Sequence, residues 1–139
     1  MAITQGMATS FKVQLLNGNQ NFSSNTFKIA LYTSAATLGE STTAYSATNE
    51  CPSTGNYTAG GNTLTVNVTP TSSGNVAYLS FANTTWANAT ITANGALIYN
   101  STANTAVCAL AFGSDKTATT SFTIQFPSAT STSAILRIQ

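Results

Sequence analysis

Between Thr63 and Ile138 apolar side chains return at every second position in short runs, each closed by a turn residue. A period of two belongs to a strand, because successive side chains of an extended backbone point to opposite faces. Leu64, Val66 and Val68 share one face of Thr63–Thr69. In Asn75–Ala82, Val76 and Tyr78 oppose Ala77, Leu79 and Phe81. Phe122, Ile124 and Phe126 line one side of Ser121–Phe126, and Ser133–Ile138 is the last run. Thr105–Phe112 (TAVCALAF) is apolar on both faces, which predicts a central, buried strand. Trp86 and Ile91 mark a further short run. Pro70–Gly74 and Gly113–Lys116 read as turns. Asn94-Gly95 is the dipeptide of a two-residue hairpin, here between Thr90–Thr92 and Ala96–Tyr99.

Ahead of these, Thr26–Thr33 is a strand with Phe27, Ile29 and Leu31 on one side and Lys28, Ala30 and Tyr32 on the other. Ser10–Gly18 reads two ways. It alternates like a strand at Phe11, Val13 and Leu15. As a helix it has Thr9 or Ser10 as cap, Met7, Phe11 and Leu15 on one face, and Gly18 as stop. Two consecutive leucines and the terminal glycine favour the short helix. Residues 34–62 form a long Ser/Thr/Ala/Gly segment. A stretch of that length is normally functional, disordered or part of an interface. It is the candidate clasp, and residues 1–10 are the candidate arm. About eight short strands with turn signals between them predict an all-β chain. The expected fold is a single-domain antiparallel β-sandwich, jelly-roll-like, over residues 1–139, with one short N-terminal helix.

Charge narrows what such a fold can do. Only 5% of residues are charged and the net charge is +1. Typical soluble domains are about a quarter charged. Lys12, Lys28, Lys116 and Arg137 are scattered, so no phosphate-neutralising patch exists and no nucleic-acid partner is expected. The longest apolar run, Ala106–Phe112, falls far short of the roughly 20 residues of a membrane helix, so no membrane partner is expected. Disordered chains combine low hydrophobicity with high net charge, which this chain does not. A near-zero net charge gives little mutual repulsion and favours association with copies of itself or with a partner.

Candidate chemistry is sparse. The chain contains no histidine, which removes the commonest general base and metal ligand. Glu40, Glu50 and Asp115 are the acids. Glu40 and Glu50 share the long loop, and a glycosidase would need two carboxylates about 5 to 9.5 Å apart. Nothing in their spacing demands this, and solvated loop carboxylates are the plainer reading. Asp115-Lys116 reads as a polar turn, with a charged contact to a neighbouring subunit as the sharper alternative. Cys108 lies in the buried strand and behaves as a small apolar residue. Cys51 lies in the loop, and MAITQGMATSFK shows no export signal, so reduced thiols are expected rather than a disulfide. Core packing accounts for most aromatics. A carbohydrate platform, the alternative, would use Trp86 with Tyr45 or Tyr57. No enzyme, cofactor or metal is expected.

The segments FKVQLLNG (11–18), TFKIALYTSAATLG (26–39), YTAGG (57–61), TLTVNVTPT (63–71), GALIYN (95–100), ALAFGSDK (109–116) and FTIQF (122–126) resemble small virion structural proteins of tailed bacteriophages. The likeness runs from residue 9 to 138 and consists of strand-and-turn wording, with no catalytic signature. It implies a protein built into the phage particle and assembled in the bacterial host cytoplasm. The first expectation is a capsid decoration or cement protein that binds the assembled shell. Its partners would be itself, as a trimer, and the major capsid protein or another virion protein. A tail, neck or fibre component is the alternative, and a glycan-binding receptor-recognition module is the other.

Overall fold

The computed structural model describes residues 2–139. Ten strands and one helix follow the order β1 (Gly6–Met7), α1 (Thr9–Leu16), β2 (Phe27–Tyr32), β3 (Asn62–Leu64), β4 (Val66–Ser73), β5 (Val76–Phe81), β6 (Thr84–Ala87), β7 (Ile91–Asn100), β8 (Thr105–Ala118), β9 (Ser121–Ile124) and β10 (Leu136–Ile138). A five-stranded sheet has the order β1-β8-β7-β2-β3, a three-stranded sheet β10-β5-β4, and β6 pairs with β9. Every ladder is antiparallel. The fold is therefore all-β and sandwich-like. Its division into five, three and two strands does not by itself establish jelly-roll connectivity.

Aromatic packing joins the sheets. Phe27 of β2 stacks on Phe22 at 4.3 Å and meets Phe81 of β5 at 6.2 Å. Trp86 of β6 packs edge-on to Phe122 of β9 at 6.2 Å, and Phe112 of β8 approaches Phe122 at 6.3 Å. β2 is buried on both faces except at Lys28. Its alternation carries Phe27, Ile29 and Leu31 to one side and Ala30 and Tyr32 to the other, as the sequence predicts. Burying each of Phe27, Ile29 and Leu31 is worth about 1.5–3 kcal/mol.

The helix forms, but neither Thr9 nor Ser10 caps it. Ala8 is the N-cap and makes no side-chain cap bond. Tertiary carbonyls take over that work: Ala8 N–H donates to Val107 O and Thr9 N–H to Glu40 O, both at 2.8 Å. These satisfy two of the N–H groups that have no partner within the helix. The helix ends as expected at Gly18, whose φ of 73° suits a left-handed cap. Gly18 N–H donates to Leu15 O and Asn19 N–H to Gln14 O.

Four turn and strand expectations are corrected. Asn94-Gly95 closes no hairpin; it lies inside the continuous β7, with Gly95 opposite both Tyr32 and Ala111. Glycine is needed there for close approach. A Cβ would stand 2.6 Å from Leu110 O and 2.7 Å from Ile3 Cδ1. Gly113–Lys116 is likewise no turn. β8 runs on to Ala118, and the residues between Ala111 and Lys116 bulge out opposite Ala93–Gly95, with Gly113 at φ 80°. Thr63–Thr69 is two strands, because Thr65 carries the chain from one sheet to the other; its carbonyl accepts from Ala82 N–H at 2.9 Å. Pro70 sits within β4 instead of a turn, tolerated because β4 is an edge strand whose register shifts between Val68 and Thr71. The real turn is Gly74-Asn75, joining Ser73 to Val76.

The N-terminal segment is not a free arm. Ile3 bridges Leu38, Thr4 N–H donates to Leu38 O at 2.8 Å, and β1 pairs with Ala109 and Cys108 of β8. Met1 lies outside the described residues.

Candidate functional site

The most elaborate polar arrangement lies where β3 stops beside β2. Beyond Ile29 the edge of β2 has no strand partner, and the loop 34–62 supplies one piecemeal. Cys51 N–H donates to Leu31 O at 2.9 Å, Thr33 N–H donates to Asn49 O at 3.0 Å, and Tyr32 bridges Glu50. Leu31 N–H donates to the Tyr57 hydroxyl at 2.8 Å. A side chain thus does the work of a missing strand.

That hydroxyl in turn donates a hydrogen bond to Glu50. Glu50 Oε1 accepts from Tyr57 Oη at 2.6 Å and from Gly60 N–H at 2.7 Å, while Oε2 accepts from Tyr45 Oη at 2.6 Å. Tyr99 Oη donates to Gly60 O at 2.7 Å, and Tyr45 stacks on Tyr99 at 4.7 Å. Tyr32 Oη donates to Ser46 O at 2.7 Å. Glu50 is 8% exposed. A buried carboxyl group is tolerated because its lone pairs are met by three donors. Gly60 and Gly61 keep the loop close. A Cβ on Gly61 would fall 1.8 Å from Ile29 O.

Burial, and then the Glu50 contacts, suppress ionisation in this cluster. Tyr99 is pushed up to about 12 by desolvation and then by the Glu50 charge. Tyr32, Tyr45 and Tyr57 are driven up further, each by desolvation first. The Cys51 thiol is pushed up to about 11 by burial and then Glu50, and burial alone pushes Cys108 to about 12. All six groups hold their protons at neutral pH. The hydroxyls are donors committed to fixed acceptors, so the cluster acts as a clasp that pins the long loop to the sheet.

The residues singled out from sequence land as follows. Trp86 and Tyr57 do come together, with ring centroids 5.8 Å apart. Both are core residues, 4% and 2% exposed, so they offer no open face to a sugar ring. Tyr45 is half-buried against Tyr99 and gives its hydroxyl to Glu50. Glu40 is exposed beside Gly6, and its contacts do not overlap those of Glu50. The solvated-loop reading therefore fits Glu40 and is corrected for Glu50. Asp115 and Lys116 are exposed on β8, where Asn94 Nδ2 donates to Asp115 Oδ1 at 2.9 Å and Lys116 Nζ donates to Ser114 Oγ at 3.1 Å. Cys51 and Cys108 are both free and buried. Among the described residues, no three His, Cys, Asp or Glu side chains group to hold a metal ion. What the sequence reading missed was the clasp itself. Its signal was present in one loop: Glu50 flanked by Tyr45 and Tyr57, with Gly60-Gly61 following.

No protein-family model, curated protein or solved structure matches this chain.

Proposed function

We propose that this chain is a structural component of a bacteriophage particle, and within it a decoration or cement protein that binds the assembled shell. The observation that carries the reading is the ribbon formed by β4 and β5. Thr69 through Asn75 are exposed without interruption and uncharged. They contribute nothing to the protein's own core, and the hairpin tip around Gly74 projects past β10, which pairs with β5 only from Ala77 to Leu79. Pro70 and the two register shifts of β4 blunt its edge against open-ended strand addition. What remains is a short neutral finger that a neighbour can grip. At its base lies an apolar groove of about 340 Å³ between α1 and the three-stranded sheet, lined by Phe11, Leu15, Phe22, Leu79, Leu136 and Ile138 among others.

A protein that binds the assembled shell and not the free subunits stabilises the shell by mass action. A rigid β-body with its long loop clasped shut suits that task, because little ordering entropy is lost on docking. The reading involves no catalytic step and no cofactor. Its partners are copies of itself and the major capsid protein or another virion protein. Cryo-electron microscopy of particles carrying this protein tests it. Density as trimers at capsomer junctions is the expected result. Density on the neck, tail tube or baseplate would overturn the decoration role and leave a tail or neck component. Density nowhere on the particle would overturn the reading altogether.

A further inference from the structure

We propose that Asn17, at the end of α1, is a self-modifying site: its side-chain amide closes onto the Gly18 nitrogen and the residue converts to aspartate and isoaspartate, loosening the last turn of the helix. The sequence holds two Asn-Gly dipeptides, Asn17-Gly18 and Asn94-Gly95. Glycine suits both to this chemistry, because it puts no Cβ in the way of its own nitrogen. The fold separates them. Gly95 is buried in β7 and paired on both sides, to Tyr32 of β2 and to Ala111 of β8. Asn94 Nδ2 donates to Asp115 Oδ1 at 2.9 Å. Ring closure there would require β7 to leave the middle of its sheet. Asn17, Gly18 and Asn19 are exposed. Among the described residues, a Cβ on Gly18 would meet no atom within 4 Å, so the peptide between Asn17 and Gly18 has room to turn. One backbone bond ties up the nucleophile, from Gly18 N–H to Leu15 O at 3.2 Å, the long end of the usual range. It lies in the last turn of a helix, where ends fray.

The step balances with water alone. The Gly18 nitrogen gives its proton to solvent, attacks Asn17 Cγ and forms the N–Cγ bond. The Cγ–Nδ2 bond breaks, and the amide nitrogen takes up a proton and leaves as ammonia. The five-membered succinimide that results has two carbonyls. Water adding at Cγ gives aspartate. Water adding at the main-chain carbonyl gives isoaspartate, which routes the chain through Cβ. Either product places one negative charge on a chain whose net charge is +1. That charge stands at the C-terminal end of a helix, where the dipole disfavours it. Isoaspartate also adds a carbon to the main chain, so Gly18 N–H and Asn19 N–H cannot both keep their bonds to Leu15 O and Gln14 O. The same turn is tied into the interior: Gln14 Oε1 accepts from Gln20 Nε2 at 2.7 Å, and Gln20 Oε1 accepts from Nδ2 of the buried Asn100 at 2.8 Å. Leu15 lines the apolar groove at the base of the β4–β5 ribbon. Asn17 is thus a slow timer set against that groove, and as it converts, the wall that Leu15 supplies loosens.

The test is incubation of the folded protein at mildly alkaline pH, read by isoelectric focusing and by mass mapping. Trypsin cuts after Lys12, Lys28 and Lys116, and so puts Asn17 and Asn94 in different peptides, 13–28 and 29–116. The acidic species should carry its change at Asn17, with the isoaspartate fraction labelled by an isoaspartyl methyltransferase. Conversion there should run more than about a hundredfold faster than at Asn94, whose opening costs close to the global unfolding free energy. In urea the two sites should react at similar rates, since the fold makes the difference between them. Asn17→Gln should abolish the main acidic species, and Asn94→Gln should leave it unchanged. The isolated acidic form should unfold at a lower temperature than the parent. Folded protein that converts at Asn94 as fast as at Asn17, an Asn17→Gln variant that acidifies like the parent, or an acidic form as stable as the parent would each overturn the proposal. It is independent of the shell-binding reading, which none of these outcomes touches.

Discussion

Replacing Glu50 tests the clasp directly. In Glu50→Ala the buried Tyr57 hydroxyl and the buried Gly60 N–H lose their acceptor together. An orphaned buried donor costs about 1–3 kcal/mol, which gives about 2–6 kcal/mol for the pair. Tyr45 is half-buried and can turn its hydroxyl to water, so it adds little. Relief from desolvating the carboxyl group offsets part of the loss. The expected net cost is about 2–4 kcal/mol, a large share of the ~5–15 kcal/mol of a domain this size. Glu50→Gln behaves differently. Its amide oxygen still accepts from Tyr57 and Gly60, and its NH2 donates to Tyr45 if that hydroxyl reverses. Its cost should be near ~1 kcal/mol. Urea unfolding followed by the fluorescence of Trp86, which is buried near Tyr57, reads both. With m near ~1–3 kcal/mol/M, Glu50→Ala should lower the midpoint by about 1–2 M and Glu50→Gln by under half of that. If Glu50→Ala unfolds at the same urea concentration as Glu50→Gln, the three-donor account of this site is wrong.

Other outcomes follow from the same geometry. Gly61→Ala should destabilise strongly, by more than ~3 kcal/mol, because its Cβ would strike Ile29 O and its φ is 74°; a thermal midpoint unchanged from the parent would contradict the packing described. Stability should be level through neutral pH and fall above about 9. The folded state holds the Cys and Tyr protons beyond their unfolded values of about 8.5 and 10, so its advantage is intact below those values and lost as pH rises through about 11 for Cys51 and about 12 for Tyr99 and Cys108. Urea midpoints that hold constant to pH 11 would count against this. Cys51 and Cys108 should resist a thiol reagent in the folded protein and both react in denaturant; rapid labelling of the native chain would contradict their burial.

Patterning made much of the fold legible. The alternation in β2, β5 and β9 assigned the strands, and in β9 it grouped Phe122 and Ile124 on the face that is buried. The failures cluster where glycine or proline serves a purpose other than turning. Gly95 is there so that β8 and Ile3 can press against β7, a neighbour that no local window contains. Gly113 lets β8 bulge without ending, and Pro70 is admitted because, among the described residues, no strand pairs on the outer side of β4. Thr65 changes sheets without breaking the alternation of Leu64, Val66 and Val68, so a pattern search sees one strand. Glu50 was read as solvated because acids in hydroxyl-rich loops usually are. Only the meeting of Tyr45, Tyr57 and Gly60 around it makes burial affordable.

The packing of Ile3 against Gly95, and of β1 against β8, also bears on how the protein reaches its native state. These contacts join residues separated by about a hundred positions, and high sequence separation slows folding. As the chain leaves the ribosome, β1 and the apolar side of α1 must wait until β8 has been made. During that interval Met7, Phe11 and Leu15 are exposed, and such nascent surface is where aggregation starts. Synthesis pauses or chaperone binding before residue 105 should therefore matter more to the yield of this protein than any event after it.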